Sequence, residues 1–177
     1  MKNQDELRDA FERKVDVLSR RPSAGVGTYV THVHVSSGVQ CAAKSGNWTF
    51  DADMGITDGG SGKAPTPDDY MRCALGTGLA TSYMLWASRM DIQVDDLSVS
   101  VETDYDKRGS FGITDTPPEY IRIRYRVTVR SPNSRTEILD MMDVAEQHCP
   151  NLQLLNGAQN TDRIVRIESA IAPQKEK

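Results

Sequence analysis

The chain has 177 residues, of which 38% are apolar and 26% charged, and its formal net charge is −4. That length suits one domain with a small extension. An acidic balance excludes a generally basic surface for nucleic acid, and no apolar run approaches the ~20 residues that span a bilayer. The first residues, Met1-Lys2-Asn3-Gln4-Asp5-Glu6, lack the apolar stretch of a secretory signal. Cys41, Cys73 and Cys149 are an odd, widely spaced set rather than a disulfide framework, so a reducing cytoplasm is the expected compartment.

Residues 4–19 read as an amphipathic helix, with Leu7, Phe11, Val15 and Leu18 on one face. Pro22 stops it, and Ser23-Ala24-Gly25-Val26-Gly27 reads as a linker. The ordinary role for this extension, residues 1–22, is a packing arm or dimer contact. Asp5, Glu6, Asp9, Glu12 and Asp16 dilute the basic face that a membrane-surface helix needs.

From Thr28 the period becomes two. Tyr29, Thr31, Val33 and Val35 share one face, and Val30, His32 and His34 the other. Val39–Lys44 and Trp48–Asp53 read as two further strands, joined at Ser45-Gly46-Asn47 into a meander. Met54–Pro67 is a loop rich in Gly and Pro. Its Gly62-Lys63 pair is not a phosphate loop, because Thr57 and Ala64 stand where that motif requires Gly and Ser or Thr.

Pro67-Asp68-Asp69 opens a central helix running to about Met90, with carboxylates at the positive end of its dipole. Between Tyr70 and Met90 only Arg72 and Arg89 are charged, the pattern of a buried helix. Met71, Tyr83, Met84 and Trp86 are expected to serve the core and a dimer interface. Gly76 and Gly78 each cost about 1 kcal/mol against Ala in a helix interior, so close approach by another element is expected there.

Leu97, Val99 and Val101 alternate with polar residues, as do Ile121, Ile123, Tyr125, Val127 and Val129. The second strand carries Arg122, Arg124, Arg126 and Arg130 outward. Pairing with Glu102 and Asp104 on the neighbouring strand is the ordinary account of that stripe, which has no aromatic platform for nucleic acid. Ser134-Arg135-Thr136-Glu137 fits a capping box. Ile138, Met141, Met142, Ala145 and Cys149 then share a helix face, and Pro150 ends that helix. Ile164–Glu168 reads as a short closing strand, and residues 170–177 as a frayed tail. Segregated strands around a buried helix mean an α+β fold.

Two stretches carry a family resemblance. Pro65-Thr66-Pro67-Asp68-Asp69, followed by the small-residue run to Ala80, resembles the central-helix signature of the OsmC/Ohr family of osmotically inducible and organic hydroperoxide resistance proteins. Ala145-Glu146-Gln147-His148-Cys149-Pro150 resembles its second signature, in the right order and about 70 residues later. The resemblance covers residues 28–169. It implies antiparallel sheets around a buried central helix, and two intertwined protomers. It implies no cofactor. The chemistry it implies is thiol-dependent reduction of organic hydroperoxides. One cysteine on the central helix attacks, a second before Pro resolves the sulfenic acid, and an arginine and a glutamate polarise the thiol and the peroxide.

The sequence departs from that pattern at its centre. The reactive-cysteine position falls on Gly78, after Thr77, and the glutamate falls on Asp69. No arginine occurs between Pro22 and Met71; Cys149 is retained. Cys73 lies about 140° round the helix from Gly78 and ~7.5 Å along it, so it faces elsewhere and reads as a small buried apolar residue. Cys149, at a helix C-terminus, is a poor nucleophile alone. His32 and His34 share a strand face and His148 sits beside Cys149, but alternating histidines are ordinarily a solvated face, and no metal is expected. Two functions follow as expectations. One is a peroxidase relative, acting on an organic hydroperoxide with residual chemistry at Cys149, Cys73 and Asp69. The other is a non-catalytic binding protein for an apolar small molecule, with Gly78 and Thr77 lining the room a thiol once filled. Neither expects nucleic acid or a membrane as partner.

Overall fold

A computed structural model describes residues 4–113, 115–157 and 161–167. The elements are α1 (Gln4–Arg20), β1 (Thr31–Ser37), β2 (Gln40–Ser45), β3 (Trp48–Ala52), α2 (Pro67–Arg89), β4 (Asp96–Tyr105), the single turn α3 (Lys107–Ser110), β5 (Tyr120–Arg130), α4 (Arg135–Gln147) and α5 (Pro150–Asn156). The strands form two antiparallel sheets, β1-β2-β3 and β4-β5, so the fold is α+β. Among the described residues no helix is long and apolar enough to cross a membrane.

The central helix starts where its chemistry says it should. The Thr66 hydroxyl accepts from the Asp69 N–H, the Asp69 carboxylate accepts from the Thr66 N–H, and Pro67 opens the first turn. It ends with Asp91 in the left-handed region (φ 59°) and the Ile92 N–H returning to the Ala87 carbonyl at 2.9 Å. Leu75, Leu79, Tyr83 and Ala87 bury one face of α2 against Met141, Ala145, Cys149 and Leu152 of the later helices. Each full-sized apolar side chain buried there contributes roughly 1.5–3 kcal/mol.

β4 and β5 lay Leu97, Val99, Val101 and Val127 toward that core, opposite one another in register as Leu97↔Val129, Val99↔Val127 and Val101↔Tyr125. Their outer face carries the arginine stripe. Arg124 pairs with both Glu102 and Asp104, and Arg126 with Glu102. The other sheet is different. Val33, Ala43 and Phe50 align across its strands, as do Val35, Cys41 and Ala52, making one apolar face. His32, Lys44 and Thr49, then His34, Ala42 and Asp51, make the polar one. Yet Val33 and Val35 are 62% and 57% exposed, and Trp48 is 76% exposed. Among the described residues nothing covers this apolar sheet face.

Four expectations change. Pro150 does not merely end α4; it opens α5, because a residue without an N–H fits a helix's first position as well as it blocks a helix's continuation. Residues 161–167 form no strand, and Ile164 and Ile167 lie almost wholly in solvent. Glu168 and residues 170–177 lie outside the described residues. Cys73 is exposed rather than buried, since only one side of α2 meets the core. The loop after β3 has an organiser that its Gly and Pro content conceals, the buried carboxylate of Asp53.

Asp53 accepts from the Ser61 hydroxyl at 2.7 Å and from the backbone N–H groups of Ser61, Lys63 and Met54 at 3.0, 3.2 and 2.8 Å. The Gln40 amide adds a fifth donor at 3.3 Å. These bonds, the Ser61 hydroxyl first, hold its carboxyl far below the usual range against the opposing effect of burial. Gly60 lets the loop fold back this tightly, for a Cβ there would lie 1.9 Å from the Met54 carbonyl oxygen. A folded-state pKa below the unfolded one gives stability that is complete above about pH 4 and is lost as pH falls through the folded value. Urea midpoints measured from pH 6 to pH 2 should therefore drop for the native chain, and the gap to Asp53→Asn should close toward pH 2. Parallel curves would refute this role.

Candidate functional site

The last turn of α4, the start of α5 and the middle of α2 meet around Gly78. Cys149 sits at the junction, one residue beyond the His148 cap of α4 and at the N-cap of α5. It is fully buried, packed in the same core as Leu75, Leu79 and Tyr83. From the first turn of α5, Asn151 reaches across to α2 and donates its amide N–H to the Ala74 carbonyl at 2.7 Å. That carbonyl also takes a longer hydrogen bond, 3.4 Å, from the Thr77 hydroxyl. The amide therefore lies over Gly78. A Cβ on residue 78 would stand 2.5 Å from Asn151 Nδ2 and 3.2 Å from its Cβ. The close approach expected at Gly78 is real, but the expected empty room is not: an asparagine side chain fills it.

The same helices carry a half-buried polar knot. Glu146 accepts from the Tyr83 hydroxyl at 2.6 Å and the Tyr125 hydroxyl at 2.9 Å. Burial, reinforced by the carboxylate, pushes the Tyr125 phenol up to about 12 and Tyr83 further in the same direction. Both phenols stay protonated and keep donating. Glu146 thus has a place in the family-like signature that needs no chemistry: it fastens α4 to α2 and β5.

The other expected site residues are spread apart. Thr77, next to Gly78, turns to the opposite side and lines a cleft of about 300 Å³ between α2 and β4 with Arg72, Cys73, Gly76, Ala80 and Val99. Cys73 opens into that cleft while Cys149 lies in the core, and all three cysteines are free thiols. Asp69 is occupied at the helix start: besides the Thr66 N–H at 2.9 Å and hydroxyl at 2.7 Å it holds the Arg72 guanidinium. Those partners, Thr66 foremost, lower its pKa. It stands nine residues before Gly78, about 13.5 Å along the helix. His148 stacks on the Trp86 ring at 4.7 Å, and Phe11 of α1 meets the same ring edge-on at 5.4 Å. Among the described residues no group of three His, Cys, Asp or Glu is placed to hold a metal ion.

Residues 60–162, more than half of the chain, match the family model described as OsmC-like protein. The chain belongs to the OsmC-like family. Solved structures agree on the fold. An OsmC-like protein from Mycoplasma pneumoniae superposes with a TM-score of 0.65 at 20% identity, covering 74% of this chain and 89% of that one. An organic hydroperoxide resistance protein OsmC from Legionella pneumophila gives 0.55 at 17% identity, covering 75% and 91%. An organic hydroperoxide resistance protein from Elizabethkingia anophelis gives 0.55 at 15%, covering 75% and 90%. No curated protein matches the sequence.

Asn151 was not legible as a site residue, although Leu152 and Leu155 after Cys149-Pro150 carry the spacing of a short helix. Its contact with this OsmC-like chain's central helix makes a steric expectation. Gly78→Cys should lower stability by about 1–3 kcal/mol through overpacking. Gly78→Cys with Asn151→Ala should be more stable than Gly78→Cys alone. Thermal denaturation of the native chain, Gly78→Cys, Asn151→Ala and the double variant reads this directly, and strictly additive effects of the two substitutions would disprove the contact.

Proposed function

We propose that this OsmC-like protein is a homodimer that binds an apolar small molecule beside α2 and does not reduce organic hydroperoxides through the family's cysteine pair. The observation that carries this reading is the seal on Gly78. Where the family resemblance expects a reactive thiol there is no side chain, and the Asn151 amide occupies the space. Cys149, the retained partner, is buried without a thiol beside it to resolve. The α2–β4 cleft remains, lined by small and apolar side chains with Arg72 at one end. Three free thiols accord with a reducing cytoplasm.

Dimerisation is supported by what one chain leaves uncovered. The apolar face of β1-β2-β3 and the Cys73–Ala80 side of α2 are both open. A second copy covers both in one assembly, which suits the intertwined arrangement that the family implies. Light scattering should give twice the 19.6 kDa chain mass. Val33→Asp with Val35→Asp should shift it toward the monomer, and a native chain that runs as a monomer at micromolar concentration would refute the dimer.

A second reading has one observation in its favour. Cys73 is exposed, and its cleft is shared with the Arg72 guanidinium. A Cys73 thiolate could attack the outer peroxide oxygen to give a sulfenic acid and release the alcohol. The deciding experiment follows consumption of cumene hydroperoxide with a dithiol reductant. Turnover no faster than the protein-free reaction is expected. Turnover that Cys73→Ser abolishes would replace the binding reading with the catalytic one.

A further inference from the structure

A second cavity, of about 410 Å³, opens at the N-terminal end of α2, between the Ile56–Asp58 turn and the segment joining β4 to β5. Arg72 borders it as well as the α2–β4 cleft, but its other walls are separate. Its charges can be taken in turn. Lys107 donates to both oxygens of Asp58 at 3.1 and 3.3 Å. Arg72 is held by Asp69 and by the Thr103 hydroxyl at 3.2 Å. Each cation is thereby neutralised by a carboxylate. Asp68 is different: its Oδ1 accepts from the Tyr120 hydroxyl at 2.6 Å, and no ion-pair partner faces it among the described residues. The Tyr120 phenol, pushed up to about 12 by burial and by Asp68, stays a neutral donor.

With Asp69 holding Arg72 from behind the wall, Asp68 is the one wall carboxylate without a cation paired to it. Around it stand Tyr105, Phe111 and Tyr120, and the first two are 46% and 65% exposed although they line a concave surface. We propose that this cavity binds a small organic ammonium ion, its charge against Asp68 and its alkyl groups against the faces of Tyr105, Phe111 and Tyr120. Aromatic faces attract such cations because the ring centre is the negative part of the quadrupole. An anion would meet only cations that already hold carboxylates, Asp58 on Lys107 and Asp69 on Arg72. A neutral apolar guest would cover the Asp68 carboxylate without a counter-charge, which is costly. The volume lies within the range of small-molecule sites.

The test uses the full chain and calorimetric or NMR titration at constant ionic strength. The probes are choline, butylammonium, benzoate, and 3,3-dimethylbutan-1-ol, the uncharged shape match of choline. At least one of the two ammonium ions should bind saturably, with the neutral alcohol at least about tenfold weaker. Asp68→Asn should weaken binding about tenfold, and Phe111→Ala, at an exposed position that the fold does not need, by about three- to fivefold. The proposal is overturned if neither ammonium binds, if the alcohol binds as well as choline, if benzoate binds in their place, or if both variants bind like the native chain.

Discussion

The architecture depends on a helix that must be packed from two sides. α2 is 23 residues long and nearly devoid of charge after its first two turns. One side presents Leu75, Leu79, Tyr83 and Ala87, and the chain itself covers them with α4, α5 and the β4-β5 sheet. The other presents Cys73, Gly76, Thr77 and Ala80, whose small side chains leave a shallow cleft instead of a ridge. A surface of that shape excludes water well only when something flat or another helix lies against it. The apolar face of β1-β2-β3 poses the same demand. These two open apolar surfaces are the physical reason for the dimer proposed above.

The polar groups inside the protomer are arranged for fastening. Glu146 takes two phenol hydrogen bonds, Asp53 takes five donors, and Asp69 serves a cap and an ion pair at once. A carboxylate so engaged has little capacity left to polarise a thiol or a peroxide. Asp68 is held more lightly, by a single hydrogen bond from the Tyr120 hydroxyl at the rim of a cavity.

Local patterns made most of the fold legible. Alternation and turn residues located all five strands within a few residues, Pro67 and its two carboxylates marked the start of α2, and the Ser134 capping box marked that of α4. Long-range contacts were not legible. Asn151 bonds a carbonyl 77 positions earlier, and nothing within its own neighbourhood announces that reach. Pro150 was ambiguous in principle, because a residue lacking an N–H can end one helix and begin the next. Cys73 misled for a related reason. A helix apolar on every side signals burial, but it does not say whether one chain or two supply the cover. Ile164 and Ile167 show the converse: a short β-branched run states a capacity for strand, and among the described residues it is not used.

The contact between α5 and α2 also bears on how chemistry can be gained or lost in this fold. Gly78 and Asn151 are a matched pair: the glycine leaves a hollow and the asparagine amide occupies it, anchored on Ala74. A thiol at 78 and this placement of Asn151 are mutually exclusive on steric grounds, whatever the rest of the site contains. The residue that decides whether α2 can carry a nucleophile therefore stands on a different helix, two positions beyond the retained cysteine. Removing a reactive group would open a cavity and cost stability in proportion to its volume. A side chain that closes the gap and satisfies its own amide offsets that cost. Once closed in this way, the site resists a single-step return to thiol chemistry, because either change alone produces a clash or a void.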